Sequence, residues 1–274
     1  MVILSALLSG QGDHLIFSRI VLTPDEAEMV AITNPKDIAI NLSNYYLTDA
    51  TDSPDNYYYN LTIGSNYWSE DIRDFIVNFP DTTIGAGDTL LIAMNTSEEF
   101  LEYYGYSPHL ALGNSDFPDE LDEESTIGAG AEHTSVGMLS DNQETLILFY
   151  WDGDFSNPIK DVDYFLWGNT QNAIDKSEIP DYQNDTSAND QLYFETVAGQ
   201  YYAYSRIGTD EIGESDTDGN GIKPSEHDET SENFRLSWEI ITLFNMGCTD
   251  ETASNFDSDA EKDDESCEYP ESEE

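Results

Sequence analysis

Ile16-Phe17-Ser18-Arg19-Ile20-Val21-Leu22, a break at Thr23-Pro24-Asp25, Glu28-Met29-Val30-Ala31-Ile32-Thr33, a turn at Asn34-Pro35, then Ile38-Ala39-Ile40-Asn41-Leu42-Ser43-Asn44-Tyr45-Tyr46-Leu47-Thr48-Asp49: this stretch decides the fold. Short runs of β-branched and aromatic residues alternate with proline-containing breaks. Such side chains fit a pleated, half-buried surface, and proline cannot donate to a strand ladder. The runs therefore predict short strands of an antiparallel sheet.

The same pattern continues outward. Residues 74–80 read as a strand closed by Pro80, 83–88 as a glycine turn, and 89–93 as a buried strand. Residues 144–150 and 162–168 read as a hairpin turning near Asp152-Gly153, and 200–207 as a late strand. Residues 97–105 give the best helix, with Ser97 as cap, Glu98 and Glu99 in the first turn and Gly105 as terminator. Residues 51–74 read as a long loop in which Tyr57, Tyr58, Tyr59 and Trp68 either cap the edge of a sandwich or form a contact surface. The carboxylates of 116–124 read as a solvated loop. Hydrophobic residues are 38% of the 274, while aromatics reach 12% with 17 tyrosines. Tyrosine can bury its ring and keep its hydroxyl wet, which suits half-exposed sheet surfaces. The expected class is all-β.

The formal charge is −48, from 57 acidic and nine basic side chains. Most carboxylates thus have no cationic partner, and self-repulsion opposes compaction unless salt or bound cations screen it. No basic stripe exists to displace counterions from phosphate, which excludes nucleic acid as an expected partner and disfavours an anionic membrane surface. No run reaches the ~18 apolar residues of a membrane span, so an integral membrane protein is not expected.

Residues 1–12 are apolar and end in small residues before Asp13, like the back half of a secretory signal peptide without its basic start; a buried first strand is the alternative. Cys248 and Cys267 are the only cysteines. An even count, close spacing and an export signal argue for one disulfide, and no nearby histidine completes a zinc tetrahedron with them.

Several motifs, taken in order, resemble the lamin tail domain. They are Glu28 at the head of the second strand, the Asn34-Pro35 turn, Leu42-Ser43-x-Tyr45-x-Leu47-x-Asp49, the Gly85-x-Gly87-Asp88 turn and a short helix ending at Tyr104-Gly105. Further on come Asp163-Tyr164-x-x-Trp167-Gly168, Ser205-Arg206-Ile207, Asp216-Thr217-Asp218 and Glu232-Asn233-Phe234. The resemblance spans 13–245, with acidic insertions, and implies an immunoglobulin-like β-sandwich of a kind found in secreted bacterial proteins as well as nuclear lamins. Ala31 stands where the family often repeats an acidic residue, which weakens any ligand role for Glu28. Residues 246–274 resemble a short Cys-bounded tail module of marine bacterial surface proteins, through Gly247-Cys248-Thr249-Asp250, Ala253-x-Asn255-Phe256 and Asp263-Asp264-x-Ser266-Cys267, with Glu265 in place of the usual glycine.

Asp216-Thr217-Asp218-Gly219-Asn220-Gly221 matches the first half of a calcium loop, because a hard cation needs alternating oxygen ligands brought together by a tight turn. The twelfth position is His227 rather than glutamate, so Glu226, Asp228 or Glu229 would have to substitute. Two readings stay open, a calcium site on Asp216, Asp218 and Asn220 or a plain acidic loop. Calcium on Asp250, Asp257, Asp259 and Asp263 of the tail is a further option, behind a purely disulfide-stapled tail. Catalytic motifs are absent: no His-Glu-x-x-His, no Gly-x-Ser-x-Gly, and His14, His109, His133 and His227 scattered along the chain. With 57 carboxylates, a pair at acid–base spacing carries no weight.

The expectation is an exported, non-enzymatic structural or adhesive module at a cell surface, with calcium bracing its loops and an extracellular protein or polysaccharide as partner. The alternatives are a fragment or accessory domain of a secreted hydrolase of nuclease or phosphoesterase type, and a carbohydrate-binding module stacking sugars on Tyr57, Tyr58, Tyr59 or Trp68.

Overall fold

The structure, a computed structural model, describes residues 13–49, 57–67, 74–114, 116–117, 138–222 and 226–269. The leader-like segment 1–12, Trp68, His133 and most of the 116–124 carboxylate run lie outside them.

The opening stretch forms β1 (Ile16–Val21), β2 (Met29–Thr33), β3 (Ile40–Asn41) and β4 (Tyr45–Thr48). β5 (Ile76–Asn78), β6 (Thr83–Ile84) and β7 (Thr89–Ala93) follow, then α1 (Ser97–Tyr104) and β8 (Leu110–Ala111). β9 (Glu144–Tyr150) and β10 (Lys160–Trp167) pair along their length. β11 (Tyr202–Arg206), α2 (Phe234–Ser237) and β12 (Trp238–Thr242) close the body, and β13 (Met246–Gly247) with β14 (Lys262–Asp263) belongs to the tail.

One sheet has the order β12-β11-β1-β2-β7-β8 and the other β10-β9-β4-β5, with β3 and β6 forming a separate ribbon. This is an all-β sandwich. Its core interleaves Phe17, Ile20, Val30 and Ile32 of the first sheet with Leu47, Val77, Leu146, Leu148 and Phe165 of the second, all fully buried. A second cluster of Val21, Met29, Ala93, Phe100, Ala111 and Ala203 packs α1 over the outer face of the six-stranded sheet. Alanine at three of those positions lets the helix approach the strands closely.

Two local expectations are corrected. Thr96, not Ser97, caps α1: its hydroxyl accepts the Glu99 N–H at 3.2 Å while the Glu99 carboxylate accepts the Thr96 N–H at 3.3 Å, a reciprocal capping box. Gly105, at φ 77°, ends the helix as expected. Residues 83–88 are not all turn, because Thr83 and Ile84 pair with Asn41 and Ile40 before the chain reverses.

Bulges at Ser18 in β1 and Val162 in β10 interrupt the period-2 alternation. The second lies between Asp161 and Asp163, and these two buried carboxylates serve different clusters. Cys248 and Cys267 are bonded at 2.03 Å and close the tail. Among the described residues no helix is long and apolar enough to cross a membrane.

Candidate functional site

Strand order brings the start of the chain to its late loops. β1 runs antiparallel to β11, with Arg19 opposite Ser205, so the entrance to β1 lies beside the exit from β11. The excursion 207–237 leaves from that exit and returns into β12, which pairs Trp238 with Arg206. His14, just before β1, therefore meets Glu211, His227 and Glu229 of that excursion.

Arg206 anchors this end. Its Nη1 donates to Glu232 Oε1 at 2.7 Å, its Nη2 to both Asp163 oxygens at 3.1 Å, and its Nε to the Phe17 carbonyl at 2.8 Å. The guanidinium lies 4.8 Å over the Trp238 ring. Asp163 also accepts the Phe17 and Tyr164 N–H groups. Asp163, Arg206 and Glu232 are three of the residues that carry the lamin-tail resemblance, and here they tie β1, β10, β11 and the late excursion together. Burial pushes Asp163 up to about 7 and Glu232 up to about 8, against the pull of the guanidinium.

Next to this clamp, His14, Glu211, Glu214, His227 and Glu229 converge. His14 Nδ1 pairs with Asp13 Oδ1 at 3.0 Å, and its Nε2 lies 2.9 Å from Glu211 Oε2 and 4.0 Å from Glu229 Oε1. His227 Nδ1 is 2.8 Å from Glu214 Oε1, its Nε2 3.6 Å from Asp13 Oδ1, and the two imidazoles stand 5.2 Å apart edge to face. The side chains of His14, Glu211, Glu214 and Glu229 are at most 5% exposed. Close as they are, His14 Nε2, both His227 nitrogens and one oxygen each of Glu211, Glu214 and Glu229 make no hydrogen bond. The contacts are near enough for attraction but lie off the N–H axes.

Among the described residues, the permanent cation paired with this cluster is Arg206, which meets Asp163, Glu211 and Glu232. Protons make up the difference. Burial, then the charges of Glu229 and Glu211, push Glu214 up to about 12. Burial likewise drives Glu229 well up, His14 only partly offsetting it. Burial opposes a charged His14, yet Glu211 and Glu229 outweigh it and raise the imidazole well above its ordinary value. Burial also opposes ionisation of Glu211, but His14 and Arg206 prevail and hold it at about 2. Burial and the His14 charge lower His227. The arrangement is a proton-filled basket of imidazole and carboxylate donors.

The residues singled out in the calcium-like loop sit elsewhere. Asp216 and Asp218 are exposed. Asn220 is buried, with its Nδ2 donating to Asp185 Oδ1 at 2.6 Å and to the Gln183 carbonyl at 2.9 Å, and its Oδ1 accepting the Gln183 N–H at 2.9 Å. Through Asp185 it supports a second buried cluster, where Lys176 Nζ lies 2.5 Å from Asp161, 3.0 Å from Asp185 and 3.2 Å from the Tyr58 hydroxyl. Gly219 and Gly221 press against the backbone of His227, and a Cβ on Gly219 would sit 2.0 Å from its carbonyl oxygen. The glycines thus hold His227 in place. Tyr58 and Tyr59 are buried, as sandwich caps would be. Glu28 is buried and its carboxylate accepts the Met138 and Leu139 N–H groups at 2.7 and 3.2 Å, which fits its weak case as a ligand. In the tail, Asp257 and Asp259 are exposed, and Asp250 accepts from Thr252 and the Tyr269 hydroxyl.

The histidines are not all scattered, then: two of the four meet, and the carboxylates beside them are buried and convergent rather than a chance surface pair. His109 stays apart, accepting the Leu91 N–H. A usable signal was present in Glu211-x-x-Glu214 and His227-x-Glu229, lying between an Arg-bearing strand and its neighbour, with Asp13-His14 at the entrance to the first strand.

No family model matches the chain, and no curated protein matches it. The crystal structure of a DUF4876 family protein from Bacteroides thetaiotaomicron VPI-5482 aligns over 83% of this chain and 71% of its own, at 15% identity and a TM-score of 0.37. At that distance the likeness says nothing of function.

Proposed function

We propose that the chain is an exported, non-enzymatic structural or adhesive module of lamin-tail type, acting at a cell surface or in the extracellular matrix on a protein or polysaccharide partner. The observation that carries this reading is the closure of its polar residues into the fold. Asp163, Arg206 and Glu232 satisfy one another and the backbone, and the neighbouring His14, Glu211, Glu214 and Glu229 are shut away from solvent. A catalytic centre keeps an open position for substrate or water, whereas a structural one is closed. The Cys248–Cys267 bridge supports export, since disulfides persist in oxidising compartments. Cations screening the acidic exterior belong to the same reading. Calcium on Asp216 and Asp218 would draw its remaining oxygens from groups other than Asn220, which is engaged with Asp185 and Gln183.

The test is an assay of the purified full chain, with and without added calcium, zinc and manganese, on phosphodiester, phosphomonoester, glycoside and peptide substrates. No turnover is expected, together with retention on an immobilised extracellular polysaccharide or matrix protein. Turnover lost in a Glu229→Gln variant would overturn the proposal.

A further inference from the structure

We propose that His14, His227, Glu211, Glu214 and Glu229 form a closed site for a divalent first-row transition-metal ion of the zinc or manganese type, distinct from the calcium-like loop at 216–221.

Geometry is the first support. Three overlapping groups, His14 with Glu211 and Glu229, Glu211 with Glu214 and His227, and Asp13 with His14 and His227, each bring their donor atoms within 4.8 Å of one another. Donors about 2.1 Å from a tetrahedral zinc stand about 3.4 Å apart, so each group would draw together on binding. Clusters of acids alone are common on a surface this negative. Here, however, His14 Nε2 and Glu229 Oε1 are buried, 4.0 Å apart and without a hydrogen bond, while Glu211 turns Oε2 to His14 at 2.9 Å and Oε1 to Arg206 at 3.5 Å. A buried polar atom left without a hydrogen bond costs about 1–3 kcal/mol, and two that face each other call for a ligand.

The tautomer is the second support. With Nδ1 paired to Asp13 at 3.0 Å, His14 can present Nε2 as a lone pair into the cluster. A carboxylate behind the far nitrogen is the usual way a metal-bound imidazole is oriented.

The donors decide the class of metal. Calcium and magnesium take oxygen ligands, imidazole suits zinc, iron, nickel or copper, and manganese accepts carboxylate. Two imidazoles with three carboxylates form a mixed nitrogen–oxygen set that a hard cation would not select. Charge fits as well: ligation takes neutral imidazole and ionised carboxylate, so binding should release protons, and a dication would offset the clustered carboxylates. The ion would join the entrance of β1 to both limbs of the 207–237 excursion, pinning the first strand to the last loops.

The test uses the full chain, stripped with chelator and titrated with Zn2+, Mn2+ and Co2+ in a large excess of Ca2+ to saturate surface carboxylates. One tight equivalent of transition metal is expected, with a raised melting temperature and a Co2+ d–d absorption band. Glu214→Gln and His227→Ala, both checked for native circular dichroism, should each weaken binding by at least about tenfold. Asp216→Asn/Asp218→Asn should bind as the wild type does. No tight equivalent above calcium, or unchanged binding in both His227→Ala and Glu214→Gln, would overturn the proposal.

Discussion

Asp49 is fully buried at the end of β4, its Oδ1 accepting the Phe75 N–H at 2.7 Å. Burial, and then the neighbouring Glu144 and Asp74, push its carboxyl well above the ordinary value of 3.8. The folded chain therefore holds this proton more firmly than the unfolded one. Its contribution to stability is complete below the unfolded value and is lost as pH rises through the folded one. Asp49→Asn keeps the acceptor for Phe75 and cannot ionise, so it should raise the melting temperature at pH 8 and change it little at pH 4. An equal effect at both pH values would show that ionisation is not the cause. Lys176 presents the opposite case, a buried cation whose partners Asp161, Asp185 and Tyr58 occupy its donors. Lys176→Met would leave two buried carboxylates without it, and urea unfolding should report a loss of about 3–5 kcal/mol. Neither environment is legible from local sequence, because Asp49 and Lys176 stand in polar contexts that read as strand end and loop. The partners of Arg206 were not legible either: Asp163, Arg206 and Glu232 stand in three separate motifs, and only the fold brings them together.

Elements were legible in proportion to their length. β1, β2, β4, β7, β9, β10 and β11 follow the β-branched and aromatic runs between breaks, because there burial on a sheet and local propensity agree. β6 and β8 have two residues each, too few for any period to show. β12 is entered directly from α2 with no proline or glycine break to announce it. α1 was visible through its acidic first turn and Gly105, though its cap lies one residue earlier. Thr96→Ala removes half of the capping box and should cost about 1 kcal/mol in chemical denaturation. In the tail, β13 and β14 pair with each other and with neither large sheet. Its disulfide spans a sequence separation of 19, worth about 3 kcal/mol on the disputed chain-entropy model. Contacts with the body include Lys262, 4.8 Å over the Tyr103 ring and 5.0 Å over Phe244. Reduction should thus abolish amide-exchange protection in 246–269 while β1 and β10 stay protected. Joint loss in both would make the tail part of the sandwich's cooperative unit.

At the scale of the whole molecule, two of the scarce cations are placed inside. Arg206 and Lys176, two of only nine lysines and arginines, are buried in ion clusters, so few remain to balance the exterior. Self-repulsion among exposed carboxylates should then be the main term that solution conditions can change. The Debye length falls from about 10 Å at 0.1 M salt to about 3 Å at 1 M, shorter than typical spacings between surface charges. Buried pairs such as Lys176–Asp161 are screened far less, so salt removes repulsion without removing the attractions that hold the core. If screening recovers about 2 kcal/mol, the melting temperature of a chain this size rises by roughly 4–8 °C. Sodium and potassium chloride should act alike, because screening depends on ionic strength rather than on the ion's identity. A scan from 0.05 to 1 M salt with the metal-stripped chain separates this from site binding, which saturates at low concentration and discriminates among cations. A flat melting temperature across that range would mean the acidic exterior imposes no cost on the fold.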